Sequence, residues 1–89
     1  MSKQGREYYL YADTPVLFQS QPDGGLLILA LRLQDKRVVP DTSFYGLIHF
    51  DRDGVAQKIS RKNFEESLRK LGVPETAFEE AAQVDALVA

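Results

Sequence analysis

The stretch that decides the fold reads Leu26-Leu27-Ile28-Leu29-Ala30-Leu31-Arg32-Leu33. It follows the turn-forming sequence Pro22-Asp23-Gly24-Gly25, and its apolar residues fall on both alternating faces. A strand that is apolar on both faces has to be covered on both sides. We therefore expect this strand inside a sheet that carries helices on at least one face.

Other extended segments flank this strand in the sequence. Residues 6–12 are rich in aromatic side chains, and residues 16–20 are expected to form a hairpin with the Leu26–Leu33 strand. Val38-Val39 adds a short extended piece before Pro40. The apolar positions of 43–50 and 55–59 keep a period of two, which predicts a β-hairpin around residues 51–54.

Helix signals begin at residue 60. Ser60 is a suitable N-cap, Gly72 stands where a left-handed C-terminal cap belongs, and Phe64, Leu68 and Leu71 form an apolar stripe between them. Pro74 suits the first turn of a second helix. The sequence therefore predicts two C-terminal helices.

These elements together predict an α+β fold in a single domain, 1–89, that is β-rich over 6–59 and helical over 61–88. We expect an antiparallel meander sheet of about five strands, with a curled, partly open barrel as its variant, and both helices packed on one face. The purer face of the long strand, carrying Leu27, Leu29, Leu31 and Leu33, is assigned to the helices. Cover for Leu26, Ile28 and Ala30 has to come from sheet curvature or from a partner.

Composition excludes several classes of function. The net charge of −2 provides no general attraction for nucleic acid or anionic membranes, and the chain contains no cysteine for disulfides or zinc–thiolate sites. The longest uninterrupted apolar run, Leu26 to Leu31, is far too short to span a bilayer. We expect a cytoplasmic protein that does not associate with membranes.

Catalytic chemistry has few candidate residues. His49 is the single histidine, and in His49-x-Asp51-x-Asp53 three ligands would share one face of a strand. Asp51 and Gly54 are, however, what a tight turn needs for its own hydrogen bonds and backbone angles. We therefore expect no metal, cofactor or catalytic site, with metal or small-ligand chemistry around His49 as the exception left open.

Two modes of binding remain. A nucleic-acid-binding small barrel would use Arg32, Lys36, Arg37 and surface tyrosines, but the basic residues of the first C-terminal helix all have acidic partners four positions away. The preferred hypothesis is a small non-enzymatic protein-interaction module, an adaptor, inhibitor or accessory subunit that acts through an aromatic sheet surface or an edge strand. Its partner would be another protein or a second copy of itself. The residues expected to bind it are Tyr9, Tyr11, Ile28, Arg32 and Tyr45.

Overall fold

A computed structural model of the chain describes residues 5–21, 24–74 and 76–81. The strands are β1 (Arg6–Tyr11), β2 (Thr14–Ser20), β3 (Leu26–Arg32), β4 (Arg37–Pro40) and β5 (Ala56–Ile59), and the helices are α1 (Ser43–His49) and α2 (Arg61–Lys70). Residues 77–81 form a further helical turn, and the rest of the predicted second C-terminal helix lies outside the described residues.

The five strands form one antiparallel open sheet in the order β4-β3-β2-β1-β5. The predicted α+β class and the five-stranded antiparallel sheet are therefore confirmed, in the open form and not as a barrel. The first four strands form a meander whose first three strands are those predicted, and the predicted β2–β3 hairpin is present. β5 departs from meander order, because it pairs with β1 at the opposite edge from β4.

The strand predicted over 43–50 is wrong, because this segment forms α1. Phe44 and Ile48 are four positions apart, a spacing that puts two residues on one face of a strand and also on one face of a helix. The sheet position beside β3 is filled by β4, which grows from the short Val38-Val39 piece. The predicted hairpin at 51–54 is wrong for the same reason, since these residues connect α1 to β5.

Two hydrophobic layers enclose the sheet. On one face, Leu27, Leu29 and Leu31 pack with Phe64 and Leu68 of α2, as the sequence predicts for the purer face of β3. The opposite face of the sheet is covered by α1. The buried residues of that second layer are Val16, Phe18, Ile28 and Ala30, with Phe44 and Ile48 packed against them. The cover that sequence analysis left unassigned therefore comes from the chain itself.

Hydrogen bonds fix both ends of α2 as predicted. The Asn63 backbone N–H donates to Ser60 Oγ at 3.1 Å, which satisfies one of the unpaired donors of the first turn. At the other end Gly72 has φ +75°, and the Val73 N–H reaches back to the Leu68 carbonyl at 2.9 Å. A positive φ at Gly72 and this hydrogen bond from Val73 are typical of a Schellman motif. The apolar contact that accompanies such a motif comes from Val73, which is buried in the same core layer as Leu68.

An ion pair joins the first strand to the last described turn. The Arg6 guanidinium donates two hydrogen bonds to the Glu79 carboxylate, at 2.6 and 3.1 Å. The bidentate geometry fixes the relative orientation of β1 and residues 77–81. The hydrogen bond from Arg6 lowers the pKa of Glu79 and outweighs the opposing effect of burial.

Candidate functional site

α1 and the residue directly after it carry the most exposed large apolar side chains of the described residues. Tyr45 is 47% exposed, Leu47 is 43% exposed, and Phe50, directly after the helix, is 76% exposed. Phe44 and Ile48 point the other way and hold the helix on the sheet. The exposed apolar side chains lie on more than one side of α1, because residues two positions apart, such as Tyr45 and Leu47, do not share one face of a helix. We call Tyr45, Leu47 and Phe50 the α1 surface.

A continuous series of rings connects the α1 surface to the sheet. The Tyr45 and His49 rings lie one helical turn apart with centroids 4.4 Å from each other, and both approach Phe18, at 6.4 and 5.9 Å. Tyr9 contacts the same Phe18 ring at 5.1 Å. Phe18 is 3% exposed, so it forms the floor on which the more exposed rings rest. Aromatic pairs at these distances stabilise a surface in a defined geometry.

Beside His49 lies an open cleft of about 310 Å³, where α1 ends above the start of β1 and β3. Phe18, Leu26 and the His49 ring give it an apolar portion. Leu26 is 41% exposed, which adds a fourth large apolar side chain to this side of the molecule. The described residues that line it are Gly5, Arg6, Glu7, Phe18, Ser20, Leu26, His49 and Lys58.

The polar rim of this cleft contains charges of both signs. Glu7 accepts a hydrogen bond from the Tyr9 hydroxyl at 2.8 Å, and its other carboxylate oxygen lies 3.6 Å from Lys58 Nζ. Burial of the ring, aided by the hydrogen bond to the Glu7 carboxylate, raises the pKa of Tyr9 to about 12. The Tyr9 hydroxyl therefore stays protonated and acts as a donor at neutral pH. The rim presents the Glu7 carboxylate and the Lys58 ammonium group, while the guanidinium of the third charged lining residue, Arg6, is hydrogen-bonded to Glu79.

The structure brings together only some of the predicted partner-binding residues. Tyr9 and Tyr45 both lie in the ring series around Phe18. Tyr11 is half-buried against Phe44, with ring centroids 5.7 Å apart, and so helps to hold α1 in place.

The other two predicted residues lie apart from the α1 surface. Ile28 is 3% exposed in the core layer beneath α1, so its side chain is not at the surface, contrary to the expectation that this face lacked cover. Arg32 ends β3 away from the cleft and pairs with Asp35.

Sequence reasoning missed Leu47, Phe50 and the residues of the cleft rim. A reading of 43–50 as a strand assigns Phe44, Ile48 and Phe50 to one face, whereas the helix separates Phe50 from the two buried residues. The second pair at a spacing of four, Tyr45 and His49, does not identify α1 either, because such a pair shares one face of a strand as well as one face of a helix. The cleft itself carries no local signal, because its described lining comes from five separate elements, β1, β2, β3, β5 and α1.

The proposed ligand set at His49 does not assemble. His49 ends α1, so the alternation of a strand does not apply to His49, Asp51 and Asp53. The Asp51 carboxylate instead accepts hydrogen bonds from the Val55 and Ala56 backbone N–H groups, at 3.1 and 3.0 Å. Within residues 5–21, 24–74 and 76–81, no group of three His, Cys, Asp or Glu side chains is placed to hold a metal ion.

Two of the basic groups considered for nucleic acid already have partners within the chain. Arg32 donates two hydrogen bonds to the Asp35 carboxylate, at 3.0 and 2.7 Å. Lys36 Nζ donates to the Leu71 carbonyl at 2.9 Å and so caps the C-terminal end of α2. These contacts raise the free-energy cost of binding phosphate through Arg32 or Lys36, because each side chain would have to give up a hydrogen bond within the fold.

Comparison of the chain with protein-family models, with curated proteins and with solved structures found no match. In the described part of the chain, no helix has the length and apolar character needed to cross a membrane.

Proposed function

We propose that this protein is a small, non-enzymatic protein-interaction module that binds its partner through the α1 surface and the adjoining cleft. The observation that carries the proposal is the distribution of exposed apolar side chains. Five large ones are exposed among the described residues, and four of them, Leu26, Tyr45, Leu47 and Phe50, lie on α1 or in the cleft beside it. Exposed large apolar side chains grouped around one short element of a small domain mark an interaction site.

The chemistry of the patch suits a protein partner. Aromatic side chains such as Tyr45 and Phe50 contribute large contact areas at interfaces, and the charged rim of Glu7 and Lys58 resembles the polar border that surrounds an apolar interface centre. The absence of cysteine is compatible with the reducing cytoplasm, where we place the protein. Its partner is another protein or a second copy of this chain.

A retrieval experiment with matched variants tests the proposal. The tagged protein is expressed in its native host together with an untagged copy, and the same is done with Leu47→Ser/Phe50→Ser and with Leu33→Ser. Leu33 is the fifth exposed apolar residue, at 38%, and it is seven positions from Leu26, about 23 Å along an extended chain.

We expect the wild type and Leu33→Ser to retrieve the same partner and the double variant to lose it. Binding is then reconstituted with the purified partner in a calorimeter, where burial of apolar surface gives a negative heat-capacity change. A partner that binds the double variant and the wild type with equal affinity would show that the α1 surface is not the binding site.

A further inference from the structure

We propose that both edges of the sheet are closed to the addition of a further strand, at β5 by the Asp51 carboxylate and at β4 by Pro40. These two strands are the edges of the five-stranded sheet. An edge strand presents N–H and C=O groups to which a strand of a second copy or an extended peptide can pair. The hydrogen bonds at β5 and the position of a proline in β4 oppose such pairing here.

The outward groups of β5 follow from its pairing with β1. The Ala12 N–H donates to the Val55 carbonyl at 3.3 Å, and the next pair in the register is Tyr11 with Ala56. In an antiparallel pair, residues that bond to the neighbouring strand alternate with residues that do not. Ala56 and Lys58 therefore direct their N–H and C=O groups away from β1. A strand added at this edge would have to bond to these two residues.

The Asp51 carboxylate already occupies the first of these positions. One of its oxygens accepts a hydrogen bond from the Ala56 N–H at 3.0 Å, and the other accepts from the Val55 N–H at 3.1 Å. The carbonyl oxygen of an added strand would need the same place, about 2.9 Å from the Ala56 nitrogen. It would have to displace an ionised acceptor, whose hydrogen bonds are stronger than those of a neutral carbonyl. Lys58 then supplies the remaining outward N–H of β5.

The opposite edge of the sheet is closed by a different means. The Asp41 N–H donates to the Ile28 carbonyl at 3.0 Å, so the odd-numbered residues of β4 face β3. Val38 and Pro40 therefore face outward. Pro40 has no N–H to donate, and its ring lies where the carbonyl of an added strand would approach. Val38 supplies the single outward N–H of β4.

The two edges therefore have the same restriction. β4 and β5 are each four residues long, and in the described part of the chain each offers one outward N–H to an incoming strand, at Val38 or at Lys58. Binding by strand addition depends on a row of main-chain hydrogen bonds, which one donor cannot provide. A partner of this protein is then bound through side chains and not by extension of the sheet.

Hydrogen exchange of single backbone amides, followed by NMR, tests the closed position in β5. We expect the outward Ala56 amide to exchange about tenfold more slowly than the outward Lys58 amide, because a hydrogen bond to a charged group protects it. Asp51→Ala should abolish this difference. Asp53→Ala, which removes an acidic residue from the same loop, should preserve it. Equal exchange of Ala56 and Lys58 in the wild type would show that Asp51 does not close this edge.

Opening the β5 edge tests what the carboxylate prevents. A two-fold pairing of two β5 strands centred on Gln57 forms four hydrogen bonds, two of which come from the Ala56 N–H groups. One net hydrogen bond changes an association constant about fivefold, so Asp51→Ala should strengthen self-association about 25-fold over the wild type. Asp53→Ala should not. Adding Lys58→Pro to Asp51→Ala removes the other outward donor, costs no bond to β1 and should reverse the effect.

Sedimentation equilibrium over a series of concentrations measures these associations, and circular dichroism checks that each variant is folded. At the other edge, Pro40→Val restores an outward N–H and should also strengthen self-association, whereas Pro74→Ala, outside the sheet, should not. Pro40→Val and the wild-type exchange rates still decide if Asp51→Ala does not fold.

Two results overturn the closed edges. One is wild-type association constants for both Asp51→Ala and Pro40→Val, and the other is self-association of Asp51→Ala that Lys58→Pro does not reverse. None of these measurements involves the α1 surface, so they test the sheet edges independently of the proposed function.

Discussion

The most direct test of the fold is replacement of Gly46 by alanine. Gly46 lies in the middle of α1, its φ is not positive, and a Cβ built on it has no other atom within 4 Å. Alanine has a higher helix propensity than glycine, and its backbone loses less conformational entropy on folding. The added methyl group meets no clash at this position. Such replacements in helix interiors stabilise by about 0.5–1 kcal/mol.

The size of the effect can be converted into a melting temperature. Unfolding entropy is about 2.1 cal/mol/K per residue, so for this chain 1 kcal/mol corresponds to roughly 5 °C. We expect Gly46→Ala to raise the midpoint of thermal unfolding by about 3–5 °C. Thermal and urea unfolding followed by circular dichroism at 222 nm measure the change.

Gly72 provides the matched control for the same substitution. It also has open space around a built Cβ, but its φ is +75°, a conformation that costs an L-residue roughly 1–2 kcal/mol. Gly72→Ala should therefore lower the midpoint by about 5–10 °C. A Gly46→Ala variant that is destabilised in the same way would refute the helical assignment of 43–49 and, with it, the α1 surface.

Two further predictions concern the core and the ion pair. Leu68 is fully buried between α2 and the sheet, and Leu68→Ala should lower the free energy of unfolding by about 2–5 kcal/mol; a loss below about 1 kcal/mol in urea would contradict this packing. Arg6 lowers the folded-state pKa of Glu79, so the stabilisation from this pair is complete above the unfolded pKa of about 4 and is lost as pH falls through the folded pKa. Wild type and Glu79→Gln should therefore differ in stability at pH 7 and converge in acid, and a difference that stays constant with pH would contradict this role.

Local sequence signals were sufficient for α2 and for most of the sheet. Ser60 and Gly72 mark the two ends of α2 because each satisfies unpaired backbone groups in its own neighbourhood. The alternation in β3 likewise identifies which leucines face α2, since the side-chain period of a strand does not depend on distant contacts. The side-chain alternation of β3 was thus interpreted correctly from the sequence, whereas Leu33, assigned to the same face as Leu27, Leu29 and Leu31, follows the end of β3 and is 38% exposed.

The segment 43–50 could not be assigned from the sequence. The four-residue spacing of Phe44 and Ile48 satisfies both a strand and a helix. What selects the helix is tertiary, because β4 fills the place beside β3 while Ile28 and Ala30 still need cover on the other face. The wrong assignment of 43–50 also affected the predicted binding residues. Tyr45 was identified as a surface residue, but Phe50 was not.

The sequence by itself therefore determined the class of the fold, the polarity of each face of β3 and the limits of α2, because these depend on periodicity and capping between near neighbours. The tertiary structure decided that β5 pairs with β1, that α1 covers the second face, and that His49, Leu26 and Lys58 meet around one cleft. Those features depend on which distant segments compete for the same apolar surface, and no local pattern in the chain records the result of that competition.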